Sequence, residues 1–450
     1  MSSHRYPESH VFYRKLTRDF PLIARGDGCW LEDEHGRRYL DASGGAFVAN
    51  LGHGVPEIAD AMAAQARRVA YVTGAWCTNE AVEAFAAALA ARLPGDLEFV
   101  YPLSSGSEAI EAALKLARQY WVETGRPGKH KVLALSPGYH GNTLLALSAS
   151  ARGGYRRLFS DWLVAVPTVP APYPYRCACH GEAPLCGACN GNALEAMIIA
   201  EGPENVSAFI AEPVGGSSTG ASVPAPGYFG RVREICDHYG VLFIADEVLS
   251  GAGRTGRFAA IEHCGVLPDI MTVGKGITGG YAPLSAVVAP RRIVDAIAAG
   301  SGALNHAQTF SHHAVACAAG VAALEYLRVH RLVERCASVA GHFHAALATL
   351  RRRPHVGDVR GVGLLAGIEL VQDVDTRAPF PRAMKFAERF TEQAQRCGLI
   401  VWPNGGQAKG DDGDVIMLAP PFIITDEEIS ELVARFARAL DLTIAESIAS

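Results

Sequence analysis

The sequence predicts an α/β protein: a large domain whose mainly parallel sheet is flanked by helices, with a smaller α+β domain beside it. Three observations carry that expectation. Strand-like and helix-like patterns alternate along most of the chain. The strand candidates are short continuous apolar runs without in–out alternation, as expected for strands covered on both faces. After about residue 330 the alternation gives way to longer helical patterns around one apolar segment.

The elements follow in order. A chain of 450 residues is long enough for two lobes. The segment 1–55, with CWLEDEHGRRYLDASGG, is assigned to the small domain, 56–330 to the large one and 331–450 to the C-terminal part of the small one. Within the large domain the strand candidates are KVLALS (131–136), AFIAEP (208–213), VLFIADEV (241–248) and DIMTVGK (269–275). Helix patterns SEAIEAALKLARQYWVE (107–123) and YFGRVREICDHYG (228–240) lie between them, the second closing on Gly240, a good helix stop. Further on, helical patterns at 331–352 and 382–397 flank GVGLLAGIELV (361–371). The last helix, 425–440, opens with Thr425 and Glu428 in capping-box spacing. The stretches PTVPAPYPYRCACHGEAP and WPNGGQAKGDDGD read as irregular loops, and there is no internal repeat or low-complexity tract.

Composition excludes several classes. Hydrophobic residues make up 49% and charged residues 19%, with a formal net charge of -5, so neither nucleic acid nor an anionic membrane is an expected partner. The first residues lack the apolar core of a secretory signal, and no apolar run approaches the ~20 residues that span a bilayer. A cytoplasmic location is the default expectation. Of the 11 cysteines, seven are scattered, as suits buried thiols. The other four, Cys177, Cys179, Cys186 and Cys189, crowd into YRCACHGEAPLCGAC. A structural zinc is one reading of that cluster. The tight C-x-C spacing of the first pair favours the other, thiols in an irregular loop without metal.

Three charged residues stand at the carboxyl ends of three strand candidates: Glu212, Asp246 and Lys275. In open α/β sheets that edge is where ligands bind. A fourth element is LSSGSEAIEAALKL, which puts Ser104, Ser105, Gly106 and Ser107 just before an amphipathic helix. Free backbone N–H groups and the positive helix end favour a phosphate there, although a lone SGS is more often a plain N-cap. Lys275 lies between glycines in an apolar stretch, VGKGITGG, where desolvation would lower its pKa and make the amine a nucleophile toward aldehydes. A salt bridge between acid and lysine is the simpler alternative. Phosphate cradle, strand-end aspartate and reactive lysine together match pyridoxal phosphate: Schiff-base lysine, phosphate site and a carboxylate for the pyridine nitrogen.

With those residues in place the sequence resembles the class III pyridoxal-phosphate aminotransferases, the group with ornithine, 4-aminobutyrate, diaminopelargonate and amine–pyruvate aminotransferases. The likeness runs from GCWLEDEHGRRYLD to MLAPPFIIT. It rests on six motifs in order: SSGSEAIEAALKLAR, GYHGNT, AEPVGG, IADEVLSGAGRTG, TVGKGITGGYAPLSAV and HAQTFSHHAVACAAG. The resemblance implies fold type I, a small domain built from both termini, and active sites at the interface of a homodimer or higher homo-oligomer. It further implies Lys275 as the Schiff-base lysine, Asp246 as partner of the pyridine nitrogen, and Val248 and Tyr139 on the two faces of the ring, with His140 beside Tyr139. Ser105, Gly106 and Ser107 would form the phosphate cradle, Thr309 would reach the phosphate from the neighbouring subunit, and Glu212 would lie near the substrate, often as gate for a carboxylate-binding arginine.

The departures bear on substrate. Some branches carry that arginine at the position of Trp402, and ornithine-type members at the position of Met417; neither residue here is basic. An arginine is the usual carboxylate receptor. Its absence points to a donor whose amino-bearing carbon lacks a carboxylate, with Trp402 either a pocket residue or plain core and Lys409 a substitute cation. Ala314 in SHHAVA varies a segment that often reads G-x-P. The expected activity is transfer of an amino group from an amine or ω-amino donor to pyruvate or 2-oxoglutarate. A decarboxylating aminotransferase or an aminomutase uses the same motifs. A non-catalytic regulator would bring a basic DNA-binding module, and neither end of the chain has one.

Overall fold

The computed structural model describes residues 4–177, 186–408 and 410–449. Cys179 and Lys409 lie outside the described residues.

Among the described residues fifteen strands form three sheets. In chain order they are β1 (Ile23–Asp27), β2 (Trp30–Asp33), β3 (Arg38–Asp41), β4 (Leu97–Leu103), β5 (Lys131–Ser136), β6 (Thr168–Pro170), β7 (Val206–Ala211) and β8 (Leu242–Glu247). The rest are β9 (Ile270–Val273), β10 (Ser285–Pro290), β11 (Val356–Val362), β12 (Leu365–Leu370), β13 (Leu399–Ile400), β14 (Trp402–Gly405) and β15 (Asp414–Leu418). The seven-stranded central sheet has the order β4-β10-β9-β8-β7-β5-β6. Only β10 runs antiparallel to its neighbours; β5 to β9 pair in parallel. Every residue of β7, β8 and β9 is buried, which explains their uninterrupted apolar sequences. The helices Gly106–Glu123 and Tyr228–Tyr239 follow the predicted patterns closely, and Gly240 ends the second in a left-handed conformation (φ 60°).

The other two sheets are four-stranded. β1-β2-β3 from the N-terminal segment is completed by β13, which pairs in parallel with β3, Leu399 opposite Leu40. The second is β11-β12-β15-β14. GVGLLAGIELV thus splits into the end of β11 and all of β12, with Gly363 (φ 61°) in the reversal. The capping box at the last helix forms: Thr425 N–H donates to Glu428 Oε2 (3.0 Å) and Glu428 N–H to Thr425 Oγ1 (3.2 Å).

One expected loop is partly a strand. WPNG, whose Pro, Asn and Gly read as turn chemistry, is β14. It stands at the edge of its sheet, where a proline costs no ladder bond on the open side. Among the described residues no helix is long and apolar enough to cross a membrane.

Candidate active site

The carboxyl edge of the central sheet carries a cavity of about 310 Å³. Its walls include Ser105, Gly106, Ser107, Tyr139, His140, Glu212, Asp246, Val248, Lys275 and Trp402. The parallel strands put these side chains there: Asp246 is the penultimate residue of β8, Glu212 follows β7 directly, and Lys275 comes two residues after β9. Apolar strand bodies bury the sheet, and the chain turns polar only where it leaves the sheet's edge.

Asp246 is held from three directions. Its Oδ1 accepts from the backbone N–H of Val248 (3.0 Å) and the hydroxyl of Thr272 (3.3 Å), and its Oδ2 lies 2.7 Å from His140 Nδ1. His140 and Asp246 are both buried. Burial alone would lower the His140 pKa, but the hydrogen bond and charge of Asp246 outweigh it and the net direction is up. His140 Nε2 is buried without a hydrogen-bond partner among the described residues.

Glu247, the next residue, faces away into the protein. It accepts from the Ser250 hydroxyl (2.6 Å) and the Ile261 N–H (2.8 Å), and burial pushes its carboxyl up to about 7. The two acids at the tip of β8 therefore have separate duties, one in the cavity and one in the core.

Lys275 adopts a left-handed backbone (φ 47°), a strained conformation for a non-glycine residue of the kind that concentrates at functional sites. Burial lowers its pKa, and the charges of Asp246 and Glu212 oppose that. Its Nζ lies 6.0 Å from the centre of the Phe47 ring. Glu212 is pushed up by burial. It accepts from Tyr139 N–H (3.2 Å), Gly216 N–H (2.9 Å) and Ser218 Oγ (2.8 Å), and no arginine pairs with it among the described residues.

Helix Gly106–Glu123 points its N-terminus at the cavity wall. Ser105 is its N-cap, accepting from Glu108 N–H (3.3 Å), so the plain capping role and a place on the wall coexist. The first N–H groups of a helix have no partner inside it. Ser107 Oγ donates to Asn142 Oδ1 (2.9 Å) and accepts from Asn142 N–H (3.0 Å), which fixes the following loop against the helix. That close approach requires Gly141, with φ 145°: a Cβ there would come within 2.5 Å of Ser107 Oγ. Likewise a Cβ on Gly106 would lie 2.8 Å from Val248 Cγ1.

Trp402 lines the cavity and packs edge-on against Phe47 (centroids 5.6 Å apart). Across the β14–β15 ladder its register partner is Met417. The two positions at which the resemblance led an arginine to be looked for thus face each other in one ladder, and both are apolar here. Two arginines that sequence reasoning missed stand nearby, both against Tyr155. Arg14 lines the cavity and donates to Tyr155 Oη (3.2 Å). The buried Arg152 stacks on the same ring at 4.8 Å and donates to the Gly405 carbonyl (3.0 Å). Arg14 sits in a segment without periodicity, so nothing local marks it. Thr309 is the one predicted residue not on the cavity wall; it is exposed, and its carbonyl accepts from Tyr71 Oη (2.8 Å).

Known proteins resemble this chain over nearly its whole length. Residues 13–440 match the family described as aminotransferase class-III. The chain is 36% identical to the uncharacterized aminotransferase YodT of Bacillus subtilis (strain 168), over 96% of this chain and 97% of the relative. It is 34% identical to the beta-alanine–pyruvate aminotransferase of Pseudomonas aeruginosa, over 95% and 93%. Its structure superposes on the omega transaminase from Pseudomonas jessenii in complex with PMP with a TM-score of 0.88, at 32% identity, covering 95% of this chain and 94% of that one.

Proposed function

Because this chain belongs to the class III aminotransferases, we propose that it transfers an amino group from an amine or ω-amino donor to a keto acid, using the cavity at the carboxyl edge of the central sheet. The observation that carries the reading is the convergence on one cavity of Lys275, the braced Asp246 and a helix N-terminus.

Pyridoxal phosphate is the cofactor of this family, and the residues present fit it. The helix N-terminus with Ser105, Gly106 and Ser107 supplies phosphate donors, and the glycine at 106 keeps the wall clear of a side chain that would strike Val248. When bound, the cofactor supplies a carbonyl that condenses with amines and a protonated ring that withdraws electrons from the amine-bearing carbon. In this reading Lys275 Nζ holds the cofactor and moves the proton to and from the substrate carbon; its lowered pKa keeps more of the amine neutral for both tasks. Asp246 would keep a proton on the ring nitrogen, and Val248 and Tyr139, both on the cavity wall, would bound the ring.

Trp402 opposite Met417 leaves the usual carboxylate position apolar, which favours a donor without a carboxylate on its amino-bearing carbon. The keto acid still has one. Arg14 is the guanidinium on the cavity wall, and with Arg152 behind Tyr155 it supplies the positive field for that carboxylate. Thr309 lies beside exposed Tyr71 (40%) and Phe310 (58%), whose rings meet edge-on at 6.0 Å. Such an apolar patch supports coverage by a second copy, and with it the homodimer in which Thr309 reaches the partner's cofactor.

The test is single-turnover absorbance of the holoenzyme against amines, ω-amino acids and α-amino acids, then pyruvate or 2-oxoglutarate. Amines and ω-amino donors bleach the visible band and one keto acid restores it, while Lys275→Ala shows neither the band nor turnover. Bleaching that no keto acid reverses, or ornithine and glutamate far outrunning simple amines, overturns the assignment.

A further inference from the structure

We propose that Cys177, Cys186 and Cys189 bind a structural zinc ion as thiolates, at a site separate from the cavity. The three sulfurs come from two chain segments and lie within 4.8 Å of one another. Cys177 and Cys186 Sγ are 2.9 Å apart, Cys189 and Cys177 Sγ 3.3 Å. With Zn–S near 2.3 Å, tetrahedral geometry sets neighbouring sulfurs about 3.8 Å apart; the separations of 2.9 and 3.3 Å are shorter, so the thiols open by less than about 1 Å to take the ion between them. Cys189 is buried and the other two are half-buried, so the site is enclosed on the protein side and open enough for a metal to enter.

Local backbone structure brings the thiols together. Cys177 ends a turn in which its N–H donates to the Tyr173 carbonyl (2.8 Å). Cys186 and Cys189 have the C-x₂-C spacing usual for zinc, and the short helix Gly187–Asn190 folds the pair so that Cys189 N–H donates to the Cys186 carbonyl (3.0 Å). The C-x-C spacing that argued against a metal in the sequence concerns only the first pair. Three sulfurs this close form a soft donor set for a borderline-soft dication, and on binding each thiol releases its proton to solvent. Three thiolates leave one coordination position for a further donor.

The ion would pin the turn 173–177 to the start of helix Asn192–Glu201. That turn is also fastened to β12: Tyr173 Oη donates to Glu369 Oε2 (2.5 Å) and Arg176 Nε to Glu369 Oε1 (2.6 Å). Zinc at the cysteines closes a cross-link among the turn, the helix and the β11-β12-β15-β14 sheet. Its role is stability rather than chemistry on substrate.

The experiment is elemental analysis of the holoenzyme purified without added metal and dialysed against a weak chelator. Wild type holds one zinc per chain, whereas Cys186→Ser and Cys189→Ser hold none and have lower Tm. Independently of how those variants fold, wild type stripped of metal with a mercurial and reloaded with Co²⁺ provides the second reading, a thiolate-to-cobalt charge-transfer band in the near ultraviolet. Absence of both zinc and that band overturns the proposal. So does an intact mass 2 Da low with two of the three thiols unreactive, the mark of a disulfide, and so does zinc retained in the serine variants.

Discussion

His140 is the residue on which the chemistry of Asp246 is expected to depend, and it can be removed without dismantling the loop. Its backbone N–H donates to Ser150 Oγ (2.7 Å), a contact every substitution keeps. What is lost in His140→Ala is the 2.7 Å bond from Nδ1 to Asp246 Oδ2 between two buried groups. Asp246 then retains donors only on Oδ1, Val248 N–H and Thr272 Oγ1. A hydrogen bond to a charged group contributes ~1.5–3 kcal/mol. Without that donor the Asp246 carboxylate is less firmly placed to pair with the protonated ring nitrogen the cofactor would present, which would weaken the ring as an electron sink. At ~1.4 kcal/mol per tenfold, the amine half-reaction should slow by roughly 10- to 150-fold. The side-chain amide nitrogen of Asn reaches where Nδ1 sits, whereas that of Gln reaches toward Nε2. Single-turnover rates should therefore fall in His140→Ala and His140→Gln and largely return in His140→Asn. The same order should appear in the pH at which the visible spectrum of the bound cofactor titrates. If Asn is no better than Ala, or Ala reacts at the wild-type rate, the bond to Asp246 does not carry the effect.

Two further outcomes follow from the geometry. Glu247 has its pKa raised from the ordinary 4.5 to about 7 in the folded protein. A raised carboxyl contributes stability that is fully present below pH 4.5 and lost as pH rises through 7, worth about 3 kcal/mol at ~1.36 kcal/mol per pH unit. In urea unfolding, the stability of Glu247→Gln relative to wild type should climb by that order between pH 4.5 and pH 8; a flat difference would falsify the linkage. Arg14→Ala should raise the KM for the keto acid about tenfold, the loss of ~1–2 kcal/mol of hydrogen bonding, and leave the amine half-reaction nearly unchanged. Equal losses in both half-reactions would mean that Arg14 shapes the cavity and does not hold the carboxylate.

What the sequence revealed and what it hid divide along one physical line. The strands β5, β7, β8 and β9 were legible because burial on both faces demands unbroken apolar runs, and a charge at the end of such a run needs a reason. That logic marks Asp246, Glu212 and Lys275. It cannot mark His140 as the partner of Asp246, because 106 residues separate them and a histidine in a loop is chemically ordinary until the fold encloses it. Nor can it mark β14: Pro403, Asn404 and Gly405 carry the residue types of a turn, and only the pairing with β15 holds them extended. The pairing matters for function, since it sets Trp402, on the cavity wall, opposite the buried Met417. A reading that weighs each position alone finds two missing arginines. The ladder pairs two positions without positive charge, while Arg14 and Arg152 stand beside Tyr155 near the same cavity. On the proposed reading carboxylate binding is relocated to Arg14, and the separate response of the two half-reactions to Arg14→Ala distinguishes that from its loss.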